Sequence, residues 1–347
     1  MSERISDFEK WLVRKAVPTY RGFNVPNLNE LKLQYWDNAG GNIMYLLLDG
    51  MEGTNTAYVC EIEAGKSLKA ERHLYEEVIY VLKGRGTTTV WYDTDKKRTF
   101  EWKEGSLFII PPNAHHQFFN GSGSEPARFY AVTSAPLVMN LFHNDEFVFN
   151  NDFKFSDRFN GEENFFNGEG VSHPGRIWET NFIADVREIP LQERHDRGPT
   201  GERNIALELG DNTLIGHISE FPVGTYKKGH RHGPGANVII VTGEGYSLLW
   251  REGEEKTHID WAQGSVLVPP DMVFHQHFNT GASPARYLAI RWGSRKHPFL
   301  RMYKGNKNKE EGGDQIEYED EDPKIHALFE ERLAINHAPC RMHQFHR

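Results

Sequence analysis

The feature that most constrains the fold of this chain is an internal duplication. The segment at 65–73 returns at 224–232, and the segment at 116–120 returns at 275–279, each 159 residues later. Three further pairs of blocks keep the same order at an offset of 158 or 159: 82–86 with 241–245, 105–112 with 264–270, and 126–128 with 284–286. Such a repeat predicts two copies of one domain. A chain of 347 residues is long enough for both, at roughly 150 residues per domain.

Each copy is built from short runs rich in β-branched and aromatic residues, separated by glycine or charged residues. Such runs are typical of strands. The predicted strands are 57–63, 78–82, 87–92 and 129–133 in the first copy, and 214–219, 237–241, 246–250 and 287–291 in the second. Many short strands indicate an all-β sandwich or barrel. Helices are expected only at 5–15 and 323–334.

Composition excludes several classes of function. The net charge of −9 argues against sequence-independent nucleic-acid binding, which needs cations to neutralise phosphates. We find no apolar run near the ~20 residues of a membrane span and no apolar secretory segment within 1–15. The two cysteines, Cys60 and Cys340, form no disulfide framework. We therefore expect a cytoplasmic protein with no nucleic-acid or membrane partner.

The repeated blocks contain two spaced patterns. The first is a glycine, five residues, a His-x-His, three or four residues, a Glu, six residues and a Gly. The second is a glycine, five residues, a proline, and then a His with an Asn after three more residues. In the second copy these residues are Gly224, His230, His232, Gly264, His275 and Asn279. These patterns resemble the two motifs of the cupin superfamily.

The resemblance implies a small antiparallel β-barrel, or jelly roll, with metal ligands inside, and the duplication makes the chain a bicupin. We expect short helical arms at both ends. The expected divisions are an N-terminal arm at 1–40, a first cupin domain at 41–140, an interdomain connection at 141–190, a second cupin domain at 191–298, and an acidic linker with a C-terminal helix at 299–347.

The second copy predicts a three-histidine metal site. Residues two apart on a strand face the same side, so His230 and His232 both point into the barrel, within reach of His275. Ala236 stands at the position of Glu77 in the first copy. Three neutral imidazoles without a carboxylate leave more positive charge on a metal, which favours an anionic or bidentate oxygen ligand. Fe(II) is the expected metal, and Mn, Ni or Zn are alternatives.

Two further residues of the second copy are candidates for catalysis. His277 shares the inward parity of His275 and is a candidate acid–base group or fourth ligand. Arg291 has no counterpart in the first copy, where Thr133 stands. It is a candidate for binding a substrate carboxylate, or it forms a surface ion pair.

The first copy carries a different ligand set. Glu71 replaces the first histidine, whereas His73, Glu77 and His116 match the motif. These four residues could hold a divalent metal, or they are a decayed site kept for structure. Arg128 and its repeat, Arg286, are expected to be structural.

The segment 305–322 is rich in glycine, lysine and acidic residues, and its expected role is that of a solvated linker. A metal or partner site in this segment is the alternative.

The three-histidine set is similar to that of three-His cupin dioxygenases, including gentisate-type and diketone-cleaving enzymes. In the gentisate type, however, the metal sits in the N-terminal barrel. The resemblance implies a non-haem Fe(II) dioxygenase that cleaves a C–C bond of a small metal-chelating substrate, such as a hydroxyaromatic acid or diketone. A redox-neutral metal-dependent lyase, decarboxylase or isomerase is one alternative, and a non-catalytic ligand-binding bicupin is another. A homo-oligomer is possible.

Overall fold

The structure is a computed structural model that describes residues 5–299 and 307–345. The helices are α1 (Asp7–Arg14), α2 (Ala135–Phe142), α3 (Asp145–Phe149) and α4 (Pro323–Ile335), with short 3-10 turns at Asp49–Met51, Thr94–Lys96, Lys309–Glu311 and Tyr318–Asp320. The strands are β1 (Thr19–Gly22), β2 (Asn24–Val25), β3 (Gln34–Trp36), β4 (Gly41–Leu48), β5 (Thr56–Ile62), β6 (Glu77–Lys83), β7 (Arg85–Trp91), β8 (Arg98–Lys103), β9 (Leu107–Ile110), β10 (His115–Asn120), β11 (Ala127–Thr133), β12 (Gly170–His173), β13 (Ile177–Thr180), β14 (Phe182–Ile183), β15 (Gln192–Glu193), β16 (Arg203–Leu209), β17 (Leu214–Phe221), β18 (Asn237–Thr242), β19 (Glu244–Trp250), β20 (Thr257–Ala262), β21 (Val266–Leu267), β22 (Phe274–Asn279) and β23 (Ala285–Trp292).

The two sequence copies fold into two barrels of the same topology. In the first, a large sheet contains the order β4-β5-β11-β6-β9 and faces a three-stranded sheet, β10-β7-β8. In the second, the order β16-β17-β23-β18-β21 faces β20-β19-β22. Strands within these runs pair antiparallel. The expected all-β, tandem-barrel fold is confirmed.

The eight predicted strands are all present, with ends that differ by one or two residues. The two predicted helices correspond to α1 and α4. The expectation that no other helices form was wrong, because α2 and α3 follow the first barrel directly. Both are short: Pro136 lies at the start of α2, and the side chain of Asn144 caps α3 by accepting a hydrogen bond from the Phe147 backbone N–H. Within the described residues, no helix is long and apolar enough to span a membrane.

Each barrel includes one short strand from the segment that precedes the other barrel in the sequence. β2, from the N-terminal segment, pairs with β21 of the second barrel, and β14, from the connection, pairs with β9 of the first. The same hydroxyl contact holds both crossings: Ser265 Oγ donates to the Pro26 carbonyl, and Ser106 Oγ donates to the Ala184 carbonyl. The exchange ties the two barrels together.

The repeated arginines fasten these crossing segments. Arg128 forms an ion pair with Glu61 and donates to carbonyls of the N-terminal segment, including that of Leu28. Arg286 pairs with Glu220 in the same way and donates to the carbonyls of the connection at 186 and 187. The structural role expected of both arginines is therefore seen in their contacts.

The barrels also share one hydrophobic core. A single cluster of buried residues joins Leu46 and Val132 of the first barrel to Ile239 and Leu288 of the second. Inside this interface the Tyr130 hydroxyl donates to the Asn237 side-chain oxygen at 2.7 Å.

The acidic segment before α4 is not a solvated linker over its described part, 307–322. Asp314, Gln315 and Tyr318 are buried, and the segment pairs with the second barrel through backbone bonds on both sides of His230. Apolar and hydrogen-bonding residues alternate with the acidic ones, so charge composition alone gave the wrong expectation for this segment.

Arg286→Ala tests whether the crossing segments stabilise the fold. Loss of its ion pair and carbonyl contacts is expected to lower the free energy of unfolding by about 2–3 kcal/mol. Urea denaturation measures this, with the exposed Arg251→Ala as a control that should change stability by less than about 0.5 kcal/mol. Equal stability of both variants would contradict the role given to Arg286.

Candidate active site and metal centres

The two barrels hold their candidate ligands on the same backbone frame. In the second barrel, His230 and His275 exchange two backbone hydrogen bonds of 3.0 and 2.8 Å. In the first barrel, Glu71 and His116 exchange the equivalent pair at 3.0 and 2.9 Å. This pairing places the side chains of opposite residues next to each other. The sites therefore differ in side chains and not in scaffold.

The predicted three-histidine cluster forms in the second barrel. The candidate ligand atoms of His230, His232 and His275 all lie within 4.8 Å of one another. Each Nδ1 lies within hydrogen-bond distance of a backbone carbonyl. The distances are 3.0 Å from His230 to Lys228, 2.8 Å from His232 to Gly233 and 3.1 Å from His275 to Val273. These contacts hold the proton on Nδ1 and leave Nε2 of each ring available to a metal.

Burial keeps this cluster uncharged. Loss of solvation lowers the pKa of His230 and His232 well below the usual range, and it lowers that of His275 to about 3. The positive charge of Arg197 adds to the effect at all three rings. The imidazoles are therefore neutral at pH 7, which is the form that binds metals.

His277 lies beside the cluster and not within it. Its ring centre is 5.6 Å from that of His275, and its Nδ1 is 2.7 Å from the Ser247 hydroxyl. Ser247 accepts a hydrogen bond from Trp261 Nε1, so its own hydrogen is available to His277 Nδ1. The equivalent residue of the first barrel is Phe118, so this histidine belongs to the second site alone.

The three-histidine cluster opens onto a cavity of about 340 Å³. Ala236 is part of its wall, so the small side chain at the position of Glu77 leaves space next to the cluster. Five arginines line this cavity: Arg176, Arg194, Arg197, Arg291 and Arg295. Asp196 is the acidic residue among the described lining residues, and it pairs with Arg194 at 2.7 Å. A cationic cavity in a chain of net charge −9 is suited to a small anion.

The predicted Arg291 is part of this wall and also contacts its neighbours. Its Nε donates to His217 Nδ1 at 3.2 Å, and its Nη1 donates to the Trp292 carbonyl at 2.9 Å. Burial lowers the pKa of His217 well below the usual range, and the Arg291 charge lowers it further. The guanidinium therefore faces a neutral imidazole.

The first barrel brings together His73, Glu77 and His116, whose ligand atoms also lie within 4.8 Å of one another. All three side chains are buried, and Glu77 accepts a hydrogen bond from the Tyr58 hydroxyl at 2.6 Å. Glu71 stands at the edge, half exposed, with its carboxylate 3.6 Å from His116 Nε2. That Nε2 is buried and makes no hydrogen bond within the described residues, as expected of an atom that faces a metal position.

The charged side chains around the two sites differ in sign: carboxylates lie beside the histidines of the first site, and arginines line the cavity of the second. At His116, burial lowers the pKa, but the carboxylates of Glu71 and Glu77 outweigh burial, and the net pKa is raised. In the second barrel the described cluster consists of histidines alone, and five arginines and one aspartate, Asp196, line its cavity. The first site is therefore compensated within the protein, whereas the second is left for an anionic ligand to neutralise.

Sequence reasoning missed most of the cationic wall. Arg176 lies between β12 and β13, Arg194 and Arg197 follow β15, and Arg295 follows β23. These loops carry no periodic pattern. The sequence signal available for a role specific to the second barrel was that these arginines lie outside the repeated blocks.

Comparison with known proteins agrees with this architecture. Residues 58–133 match the family model described as a cupin domain. A single-residue variant of Bacillus subtilis oxalate decarboxylase is similar in structure, with a TM-score of 0.52 and 14% identity over 81% of this chain and 80% of that chain. A structure of the same enzyme described for its Mn(II) centres gives a TM-score of 0.51 and 14% identity, with the same shares covered. No curated protein matches the chain at a significant level.

The first barrel thus contains a cupin domain, and the second barrel repeats its topology. At these identities, the likeness to oxalate decarboxylase shows a shared fold.

Single substitutions are expected to divide the metal content between the barrels. His275→Ala removes one equivalent of metal from the second barrel, and His116→Ala removes one from the first, because each deletes a ligand from a separate cluster. Elemental analysis after anaerobic loading with Fe(II) measures both. His277→Phe is the control and keeps the wild-type content. Unchanged metal in His275→Ala would contradict the assignment of the second cluster.

Proposed function

We propose that this bicupin is a metal-dependent enzyme whose reaction centre is the His230, His232 and His275 cluster of the second barrel. Its substrate is a small carboxylate that carries a second oxygen donor next to the first. The observation that supports this proposal most strongly is that three neutral histidines and five arginines line one cavity.

The residues present fit a divalent metal. The rings are neutral and oriented by backbone carbonyls, and their Nε2 atoms converge. A bound metal would supply Lewis-acid chemistry and, in the case of Fe(II), electron transfer. The chain itself supplies the remaining functions, which are anion binding, orientation and proton transfer.

The arginine wall selects the charge of the substrate. Arg291 presents a planar guanidinium that can bind a carboxylate through two hydrogen bonds. Because the wall is cationic, it favours a hydroxyaromatic acid or a dicarboxylate over a neutral diketone. Ala236 provides room for that anion where the first barrel has Glu77.

His277 is suited to move a proton during the reaction. It lies on the same wall as the cluster, and Ser247 holds its Nδ1, so Nε2 is the nitrogen that can exchange a proton with a bound substrate. Burial, followed by the charges of His275 and Lys227, lowers its pKa well below the usual range. The ring can therefore return to the neutral state readily after accepting a proton.

The first candidate reaction is oxidative cleavage of a C–C bond with Fe(II) and O2. The support for it is the ligand set, which is three histidines with no carboxylate, as in three-His dioxygenases. The second candidate is a redox-neutral decarboxylation or related lyase reaction. The support for this one is the fold shared with oxalate decarboxylase, together with an ionisable group, His277, placed beside an anion site.

An assay of gas exchange separates the two reactions. The protein loaded anaerobically with Fe(II) is expected to consume O2 with an o-hydroxyaromatic acid and less readily with a 1,3-diketone, because the wall is cationic. The same assay under argon, with Mn(II) and a dicarboxylate, measures CO2 release. Turnover under argon would select the lyase, and failure of every anionic chelator in both assays would contradict the proposed function.

Two substitutions separate binding from chemistry. Arg291→Ala is expected to raise KM about 10–100-fold, because one charge-assisted pair with the substrate is lost. His277→Phe, which installs the residue of the first barrel, is expected to lower kcat at least about 100-fold with metal content unchanged. Steady-state kinetics measures both against the exposed Arg251→Ala control. Wild-type constants in both variants would exclude these roles.

A further inference from the structure

A third group of ligand-type side chains lies outside both barrels, at the C-terminal end of the described chain. His326 and Glu330 are one turn apart on α4 and share a face. Cys340 and His343 belong to the segment that follows. The candidate ligand atoms of all four residues lie within 4.8 Å of one another. Neither barrel cluster contains a cysteine.

The segment after α4 folds back on the helix to complete this group. The chain reverses at His337, which has a positive φ of 54°, and the backbone N–H of Ala338 donates to the Leu333 carbonyl. Arg341 N–H then donates to the Gly224 carbonyl. Met342 is fully buried in the cluster that includes Phe329 of α4, so the returning segment is anchored before Cys340 and again between Cys340 and His343.

The ring of His326 is oriented by a buried tyrosine. The Tyr226 hydroxyl donates to a Glu321 oxygen at 2.7 Å and lies 3.3 Å from His326 Nδ1, from which it accepts. This contact directs Nε2 of His326 toward Glu330, whose carboxylate oxygen lies 3.5 Å from it. The same oxygen is 3.5 Å from Nδ1 of His343. Orientation of a ligand histidine through its second nitrogen is typical of metal sites.

We propose that His326, Glu330, Cys340 and His343 form a zinc site that clasps the C-terminal segment to α4. One thiolate, two imidazoles and one carboxylate are ligand types that zinc binds, and together they make a four-coordinate set. Zinc would also favour the deprotonated form of the Cys340 thiol.

The clasp would hold the outer wall of the second barrel in place. Glu321, the acceptor of the Tyr226 hydroxyl, also accepts from Gln276 Nε2 at 2.6 Å. Gln276 lies between His275 and His277 on β22. The zinc site therefore connects through His326, Tyr226 and Glu321 to the strand that carries the candidate reaction centre, although its existence is independent of the proposed reaction.

Co²⁺ is a suitable probe, because a cobalt–thiolate bond gives a charge-transfer absorption band that histidine and carboxylate ligands do not. The reduced, full-length protein titrated with Co²⁺ up to three equivalents, one for each candidate site, is expected to show this band. Cys340→Ser should abolish the band. His337→Asn, which alters an exposed histidine of the same segment outside the group, should keep it. The double variant His116→Ala and His275→Ala should also keep it.

Thermal unfolding provides a second readout and reports whether each variant folds. Zn²⁺ added to the double variant His116→Ala and His275→Ala is expected to raise its melting temperature, and this rise should vanish when Cys340→Ser is added. A wild-type protein without the thiolate band, or a Cys340→Ser variant that retains it, would overturn the proposal. Equal zinc stabilisation with and without Cys340 would also overturn it.

Discussion

Two backbone hydrogen bonds between His230 and His275 determine the geometry on which the second barrel depends. They join a motif near residue 230 to another near residue 275 and place two imidazoles side by side, with ring centres 4.2 Å apart. His232, two residues on, completes the cluster at 4.6 Å from the His275 ring. Carbonyls of the same backbone then set the orientation of each ring. The candidate metal position is thus a product of strand pairing.

Duplication allowed this frame to take on two different chemistries. The first barrel keeps Glu77 and adds Glu71, so its charge is balanced internally and its histidines sit among buried aromatic rings. In the second barrel Ala236 stands at the position of Glu77, and His230 stands at the position of Glu71. This barrel gains His277 where the first has Phe118. The second barrel lacks both carboxylates, and the cavity beside its histidines is lined by arginines from β23 and from loops outside the repeated blocks. The buried core that both barrels share and the two exchanged strands join the two barrels to each other.

The sequence predicted what depends on local spacing, and it failed where distant segments meet. Alternation along a strand was enough to place His230 and His232 on one face, and the constant offset was enough to find both barrels. Arg176 and Arg197 reach the cavity from loops that have no period, so no pattern indicated them. The acidic segment before α4 was expected to be solvated, yet its buried Asp314 and Tyr318 pack on the second barrel. His343 carried no spacing that sequence reasoning recognised, although His326-x3-Glu330 on a helix, followed by Cys340-x2-His343, was an available signal.

The central claim is that the second barrel binds a metal and an anionic chelator together. A crystal structure of the protein loaded with Fe(II) or Mn(II) and a small dicarboxylate, with anomalous data at the metal edge, tests it most directly. The account predicts an anomalous peak between the Nε2 atoms of His230, His232 and His275, with the dicarboxylate against the peak and within hydrogen-bond distance of Arg291. A metal confined to the first barrel, or a dicarboxylate bound away from the arginine wall, would contradict it.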